Sequence, residues 1–192
     1  MEMKVIQPLT EMGIPNGMEV DEFGNLFVAD SAKAHIYRIQ FNSPTEVVNV
    51  EIWSENTTPF VNGLEWVGDE LYFTGVELNG IKSVFGKVTR NADGSAGAPL
   101  ILYERVATVL DDIASYKEGF LITDYLKGSV IYWKDGAIIA ETAKDTFYAP
   151  TAVQQGRPPM FSEETLIVTE KGIIFNSNPA FGNKVGLIYP EF

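Results

Sequence analysis

The chain reads FVNGLEWVGDELYFTG over residues 60–75, an apolar segment with an Asn–Gly pair, then a turn, then a second apolar segment. Apolar and polar residues alternate in parts of both segments, which is typical of half-buried β-strands. A turn that contains glycine between two such segments predicts an antiparallel hairpin. This stretch therefore predicts a pair of adjacent strands.

The same layout recurs three more times, at residues 14–30, 109–124 and 148–170, the last with an insertion. The repeats start at the polar residues Asn16, Asn62 and Asp111 and at Pro150, at spacings of 46, 49 and 39 residues. A repeat of about 40–50 residues with about four strands is the signature of a β-propeller blade.

A β-sandwich whose turns happen to recur is the alternative, but positions shared within the repeat favour the propeller. The predicted fold class is all-β, a β-propeller of four-stranded blades. About four blades are expected in a single domain over residues 1–192, with repeats starting near 14, 60, 109 and 148. Open blade edges in such a partial ring are expected to allow self-association.

Composition excludes several classes of protein. The chain has 192 residues, a net charge of −12, 45% hydrophobic residues and no cysteine. The acidic charge argues against nucleic-acid partners and anionic membrane surfaces, because both require clustered Lys and Arg. The lack of cysteine excludes disulfides, thiolate metal sites and a cysteine nucleophile. No apolar run approaches the ~20 residues of a membrane span, and no hydrophobic signal segment is visible, so we expect a cytoplasmic protein.

The polar positions lie where each repeat begins its first strand. In a propeller the first strands line the central channel, so Asn16, Asn62 and Asp111, or its neighbour Asp112, are expected to converge on the axis. Amide and carboxylate oxygens are the ligands that a hard cation such as Ca²⁺ prefers. Hydrogen bonding to the loop backbone is the alternative role for these side chains.

Four segments in this order resemble the blade motifs of the senescence-marker-protein/gluconolactonase/regucalcin family. They are residues 15–30, 62–73, 111–130 and 150–169, and the resemblance covers roughly residues 13–175. It implies a six-bladed parent propeller that binds one divalent metal, Ca²⁺ or Zn²⁺, on its axis and hydrolyses lactones or phosphoesters. Six blades of this size need ~240–300 residues, so we expect the chain to lack N-terminal blades.

The resemblance also assigns roles. It implies that Asn62 binds the metal, that Asp111 binds the metal and acts catalytically, and that Asn16 lies near the substrate. The family's remaining metal ligand, a glutamate of the first blade, has no counterpart here. Asp112 replaces the expected glycine and is assigned to the substrate side. It could also supply a second carboxylate, but alternation on a regular strand points adjacent residues to opposite faces. Because the glutamate ligand is missing, metal binding is expected to be weaker than in the family.

The predicted function is metal-assisted hydrolysis of a small-molecule lactone or ester. A non-catalytic binding module built on propeller blades is one alternative. A metal-free strictosidine-synthase-like enzyme is another, and it would give interest to an acid such as Glu170. Glu19 and Glu65 recur two residues after the glycine of each Asn–Gly pair, and we interpret them as solvated or hydrogen-bonded carboxylates rather than as a ring around the channel.

Overall fold

A computed structural model describes residues 5, 8–77, 82–171 and 182–190. These residues form strands, turns and loops and no helix, as predicted. Accordingly, no helix in the described ranges is long and apolar enough to cross a membrane. Fifteen strands lie within the described ranges: β1 (Pro15–Val20), β2 (Leu26–Asp30), β3 (His35–Ser43), β4 (Glu46–Ser54), β5 (Leu64–Val67), β6 (Glu70–Glu77), β7 (Lys82–Thr89), β8 (Leu100–Val106), β9 (Leu110–Tyr116), β10 (Gly119–Asp124), β11 (Ser129–Lys134), β12 (Ala137–Glu141), β13 (Pro150–Gln155), β14 (Leu166–Glu170) and β15 (Lys184–Ile188).

The strands form four antiparallel sheets in chain order. Sheet 1 contains β1–β4, sheet 2 contains β5–β8, sheet 3 contains β9–β12, and the described part of sheet 4 contains β13–β15. Each sheet coincides with one of the four sequence repeats. The first strands lie side by side, because β5 contacts β1 and β9, and β9 contacts β13. This is the blade arrangement of a β-propeller, with the first strands innermost.

Apolar layers between neighbouring sheets hold the fold together. Between sheets 1 and 2, the buried ring of Phe27 meets Trp53 and Trp66 edge-on, with ring centroids 5.1 and 5.0 Å apart. Between sheets 2 and 3, Phe85 meets Trp133 edge-on at 5.0 Å. A third apolar cluster joins sheets 3 and 4. Aromatic side chains bury a large area each, so these contacts fix the sheets around the axis.

A buried acid ends the second strand of three sheets and ties down the chain before the first strand. Asp30 accepts hydrogen bonds from the main-chain nitrogens of Gly13 and Ile14, at 2.9 and 3.0 Å. Glu170 accepts one from the main-chain nitrogen of Tyr148 at 2.6 Å. In sheet 3, Asp124 accepts a hydrogen bond from the hydroxyl of Thr108. These bonds position the segment in which each polar pair lies.

Candidate functional site

The first strands are irregular at the polar pairs. In sheet 1, pairing passes from Pro15↔Asp30 to Met18↔Val28, so residues 16 and 17 oppose one residue. In sheet 3, Leu110 pairs with Asp124 and Ile113 with Ile122, so residues 111 and 112 oppose one residue. Such β-bulges bend a strand and redirect its side chains, and they are common next to functional sites.

Sheet 2 has the same two-against-one arrangement. The main-chain nitrogen of Asn62 donates to the oxygen of Thr74 at 2.8 Å, and the nitrogen of Thr74 donates to the oxygen of Gly63 at 3.1 Å. In sheet 4 the register also shifts between Pro150 and Ala152. The bulge therefore recurs at the start of all four first strands.

The glycine of the pair is required where neighbouring first strands approach each other. A Cβ atom on Gly17 would lie 2.1 Å from the main-chain oxygen of Asn62, and one on Gly63 would lie 2.9 Å from the Cα of Asp112. Asp112 holds the equivalent position in sheet 3. There its carboxylate reaches sheet 4 and accepts a hydrogen bond from the main-chain nitrogen of Val153 at 3.3 Å.

Asn62 and Asp111 meet across sheets 2 and 3. The Asn62 side-chain amide donates to Oδ1 of Asp111. Thr74 contacts the main chains of both residues, since its buried hydroxyl donates to the main-chain oxygen of Asp111 at 2.6 Å and its main-chain oxygen accepts from the nitrogen of Asn62 at 2.8 Å. Two of the predicted site residues are thus brought into direct contact, and their main chains share one buried partner.

The two neighbouring carboxyls are partly buried and influence each other. Burial, together with the charge of Asp112, raises the pKa of Asp111 to about 7, although the hydrogen bond from Asn62 opposes the rise. Burial likewise raises the pKa of Asp112 to about 6, against hydrogen bonds from the nitrogens of Ile113 and Val153. Strict alternation of faces does not apply to them, because both lie in the bulge.

Asn16 lies apart from this pair. Its exposed side-chain amide donates to the hydroxyl of Ser31 at 3.2 Å, and Ser31 donates to the main-chain oxygen of Val61 at 2.7 Å. Asn16 nevertheless shares a cavity of about 250 Å³ with Asn62. The cavity is otherwise largely apolar, and its lining includes Ile14, Phe60, Val76 and Val109.

Tyr125 is a neighbour that the sequence reasoning missed. Burial raises the pKa of its phenol, and the charge of Asp111 raises it further. Its main-chain nitrogen donates to the oxygen of Val109 at 2.7 Å, which holds it beside the start of β9. The sequence does contain a signal that identifies this position, because Tyr125 directly follows the acid that ends β10, just as Ser31 follows Asp30 in sheet 1.

Glu19 and Glu65 lie further along the first strands, on a polar cavity of about 720 Å³. Glu65 accepts a hydrogen bond from the main-chain nitrogen of Ser115 at 2.9 Å. Burial raises the pKa of Glu19, and the charges of Glu65 and Asp112 add to the rise. Glu65 is thus hydrogen-bonded, as interpreted from the sequence, while Glu19 is a partly desolvated acid.

Within the described ranges, no three His, Asp or Glu side chains lie close enough together to hold a metal ion. The oxygen donors available at the bulges are the carboxylates of Asp111 and Asp112 and the amide oxygen of Asn62. They are of the hard type that suits Ca²⁺, and waters commonly complete such sites.

No family model matches the sequence, and no curated protein sequence matches it. Solved structures do resemble the chain. A calcium-binding protein, regucalcin, from Agrobacterium tumefaciens has a TM-score of 0.66 at 16% identity, covering 90% of this chain and 59% of that one. A luciferin-regenerating enzyme has a TM-score of 0.65 at 16% identity, covering 90% and 60%.

A third similar structure is the PQQ-bound form of an aldose sugar dehydrogenase from Streptomyces coelicolor. It has a TM-score of 0.57 at 15% identity and covers 84% of this chain and 58% of that one. The chain therefore spans less than two thirds of the length of each of these proteins. At such low identity the similarity concerns the fold alone. Together with the four antiparallel sheets, it shows that this chain has a β-propeller fold.

Proposed function

We propose that the protein is a divalent-metal-dependent hydrolase of lactones or related esters. The observation that carries the proposal is the pair of partly buried carboxyls at the bulge of β9, where the pKa of Asp111 is raised to about 7 and its Oδ1 is held by Asn62. A carboxyl that titrates near neutral pH is suited to general-base catalysis.

In the proposed reaction the Asp111 carboxylate accepts a proton from a water molecule whose oxygen attacks the substrate carbonyl carbon. The ring C–O bond then breaks, and the proton passes from Asp111 to the departing alkoxide oxygen. The product is a hydroxy acid, and Asp111 returns to its starting state. Burial and, after it, the charge of Asp112 keep the pKa of Asp111 high, which makes the carboxylate a better proton acceptor.

A divalent cation would be held by the oxygens of Asn62, Asp111 and Asp112. Two carboxylates balance the charge of such a cation, which a single carboxylate would leave uncompensated. The amide of Asn62 can present oxygen instead of nitrogen by rotation about one bond. When bound, the cation supplies positive charge that polarises the substrate carbonyl. The calcium-binding protein among the structurally similar proteins is compatible with this choice of metal.

Asn16 is proposed to contact the substrate, and Asp112 is proposed to face the substrate in addition to supplying an oxygen to the cation. Asn16 lines the cavity that also reaches Asn62, so a ligand there would lie beside the amide that contacts Asp111. The Asp112 carboxylate accepts a hydrogen bond from the main-chain nitrogen of Val153 in the neighbouring first strand and directly follows Asp111 in the chain, which supports its assignment to the substrate side.

The test is turnover of a panel of lactones and aryl esters, with Ca²⁺ and with a chelator. We expect activity that the chelator and Asp111→Asn both abolish, while Asp135→Asn, the same change in an exposed turn, leaves it intact. Activity that persists in chelator would point to a metal-free mechanism. Failure to turn over any member of the panel, together with capture of a protein partner, would point to a binding module.

A further inference from the structure

One apolar or aromatic residue precedes the start of each of the four repeats by two places. These residues are Ile14, Phe60, Val109 and Tyr148, two before Asn16, Asn62, Asp111 and Pro150. The first three line the cavity of about 250 Å³ that Asn16 and Asn62 also border. Ile14 is 51% exposed and Phe60 38%, so apolar surface of this cavity lies beside Asn62 and is open to solvent.

The backbone holds Phe60 at this rim in an unfavourable conformation. Its φ is +56°, in the left-handed region that bulky side chains rarely adopt. Its main-chain nitrogen donates to the oxygen of Ser31 in sheet 1 at 3.0 Å, and the adjacent chain is fixed by a bond from the nitrogen of Val76 to the oxygen of Pro59 at 3.2 Å. Such conformations persist where the surroundings enforce them, and they concentrate at ligand sites.

The three polar side chains of the cavity each donate one hydrogen bond within the protein, and the rest of the lining is apolar. The amide of Asn16 donates to Ser31, the hydroxyl of Ser31 donates to Val61, and the amide of Asn62 donates to Asp111. A polyhydroxylated ligand placed against Ile14 and Phe60 would bury hydroxyls without adequate partners, which is unfavourable. An alkyl or aryl group would gain from the same surface.

We infer that this cavity binds the apolar side of the substrate, so that the preferred substrates are lactones or esters with an alkyl or aryl substituent rather than sugar lactones. Phe60 is the specificity-determining residue, because it combines the largest apolar side chain of the cavity with a fixed position next to Asn62. The inference rests on the proposed hydrolase function for the reacting group and on the cavity for the substituent.

The test separates binding from turnover. Dissociation constants are measured by ligand-observed NMR for γ-lactams with alkyl chains from methyl to heptyl, which resemble lactones but resist hydrolysis. We expect affinity to rise by about fourfold per added methylene until the cavity is full, which is the gain for burying one CH₂ group. The Phe60→Ala variant should flatten this dependence. Phe23→Ala, at a 71% exposed phenylalanine on another loop, should not.

Turnover of the matching alkyl lactones and of a sugar lactone is measured in parallel. Affinity that does not change with chain length, an equal dependence in Phe60→Ala, or preferential turnover of the sugar lactone would overturn the inference. A chain-length dependence that Phe60→Ala removes, without turnover of any lactone, would uphold the apolar site and refute the hydrolase. Circular dichroism of Phe60→Ala confirms that the variant is folded.

Discussion

Replacing Asp112 with asparagine removes one of the two neighbouring carboxyls and keeps an oxygen that can accept the bond from Val153. Burial raises the pKa of Asp112 from 3.8 to about 6, so the folded protein keeps a proton that the unfolded chain releases. The resulting stabilisation is complete below the unfolded pKa and is lost as the pH rises through about 6. A difference of about two pKa units corresponds to about 3 kcal/mol.

We therefore expect Asp112→Asn to unfold at the same free energy as the wild type at about pH 4 and to be more stable by about 3 kcal/mol at about pH 8. Urea unfolding followed by tryptophan fluorescence measures both values. Asp135→Asn removes the same charge from an exposed turn and controls for the general effect of the net charge of −12. A variant that is no more stable than the wild type at high pH, or equally stabilised at low pH, would show that burial does not raise the pKa of Asp112.

Two further predictions concern the packing between sheets. Gly17→Ala places a Cβ atom 2.1 Å from the main-chain oxygen of Asn62, so we expect it to lower the free energy of unfolding in urea by about 3 kcal/mol or more. In Gly186→Ala the nearest atom to the new Cβ lies at 3.4 Å, so this control should lower it by less than about 1 kcal/mol. Arg90→Met leaves the buried Asp21 without its ion pair at 3.2 Å and should cost about 3 kcal/mol. Lys134→Met, which breaks the exposed pair with Glu118, should change the stability far less. A loss of stability in Gly186→Ala as large as in Gly17→Ala would contradict the burial assigned to Gly17. A loss in the Lys134 variant as large as in Arg90→Met would contradict the burial assigned to Arg90.

The inner half of the fold is predictable from the sequence, and the outer half is less so. Strands such as β2 and β10 are compact apolar segments next to clear turns, and the recurrence of their surroundings identifies the blades. Among the outer strands, β7 contains Gly86 and is buried at most positions, while β12 is mostly exposed, so neither alternates cleanly. Their pairing depends on contacts with distant residues, which single-sequence patterns do not contain.

The contact between Asn62 and Asp111 is predictable from the sequence, but the local backbone geometry of the candidate site is not. The sequence places Asn62 and Asp111 at equivalent positions of consecutive blades, which is sufficient to expect that they approach each other. It does not reveal the bulge, because the two-against-one pairing is set by the partner strand. Without the bulge, the mutual effect of Asp111 and Asp112 and the proximity of Tyr125 cannot be anticipated.

Calorimetric titration with Ca²⁺ at about pH 8, where both carboxyls are ionised, is the decisive test of a metal centre at the bulge of β9. We predict one-to-one binding to the wild type, weaker binding to Asn62→Ala and none to Asp111→Asn, with Asp135→Asn unchanged. The absence of binding heat with millimolar Ca²⁺, Zn²⁺ and Mn²⁺, or binding that Asp111→Asn leaves intact, would contradict a divalent-metal centre at these residues.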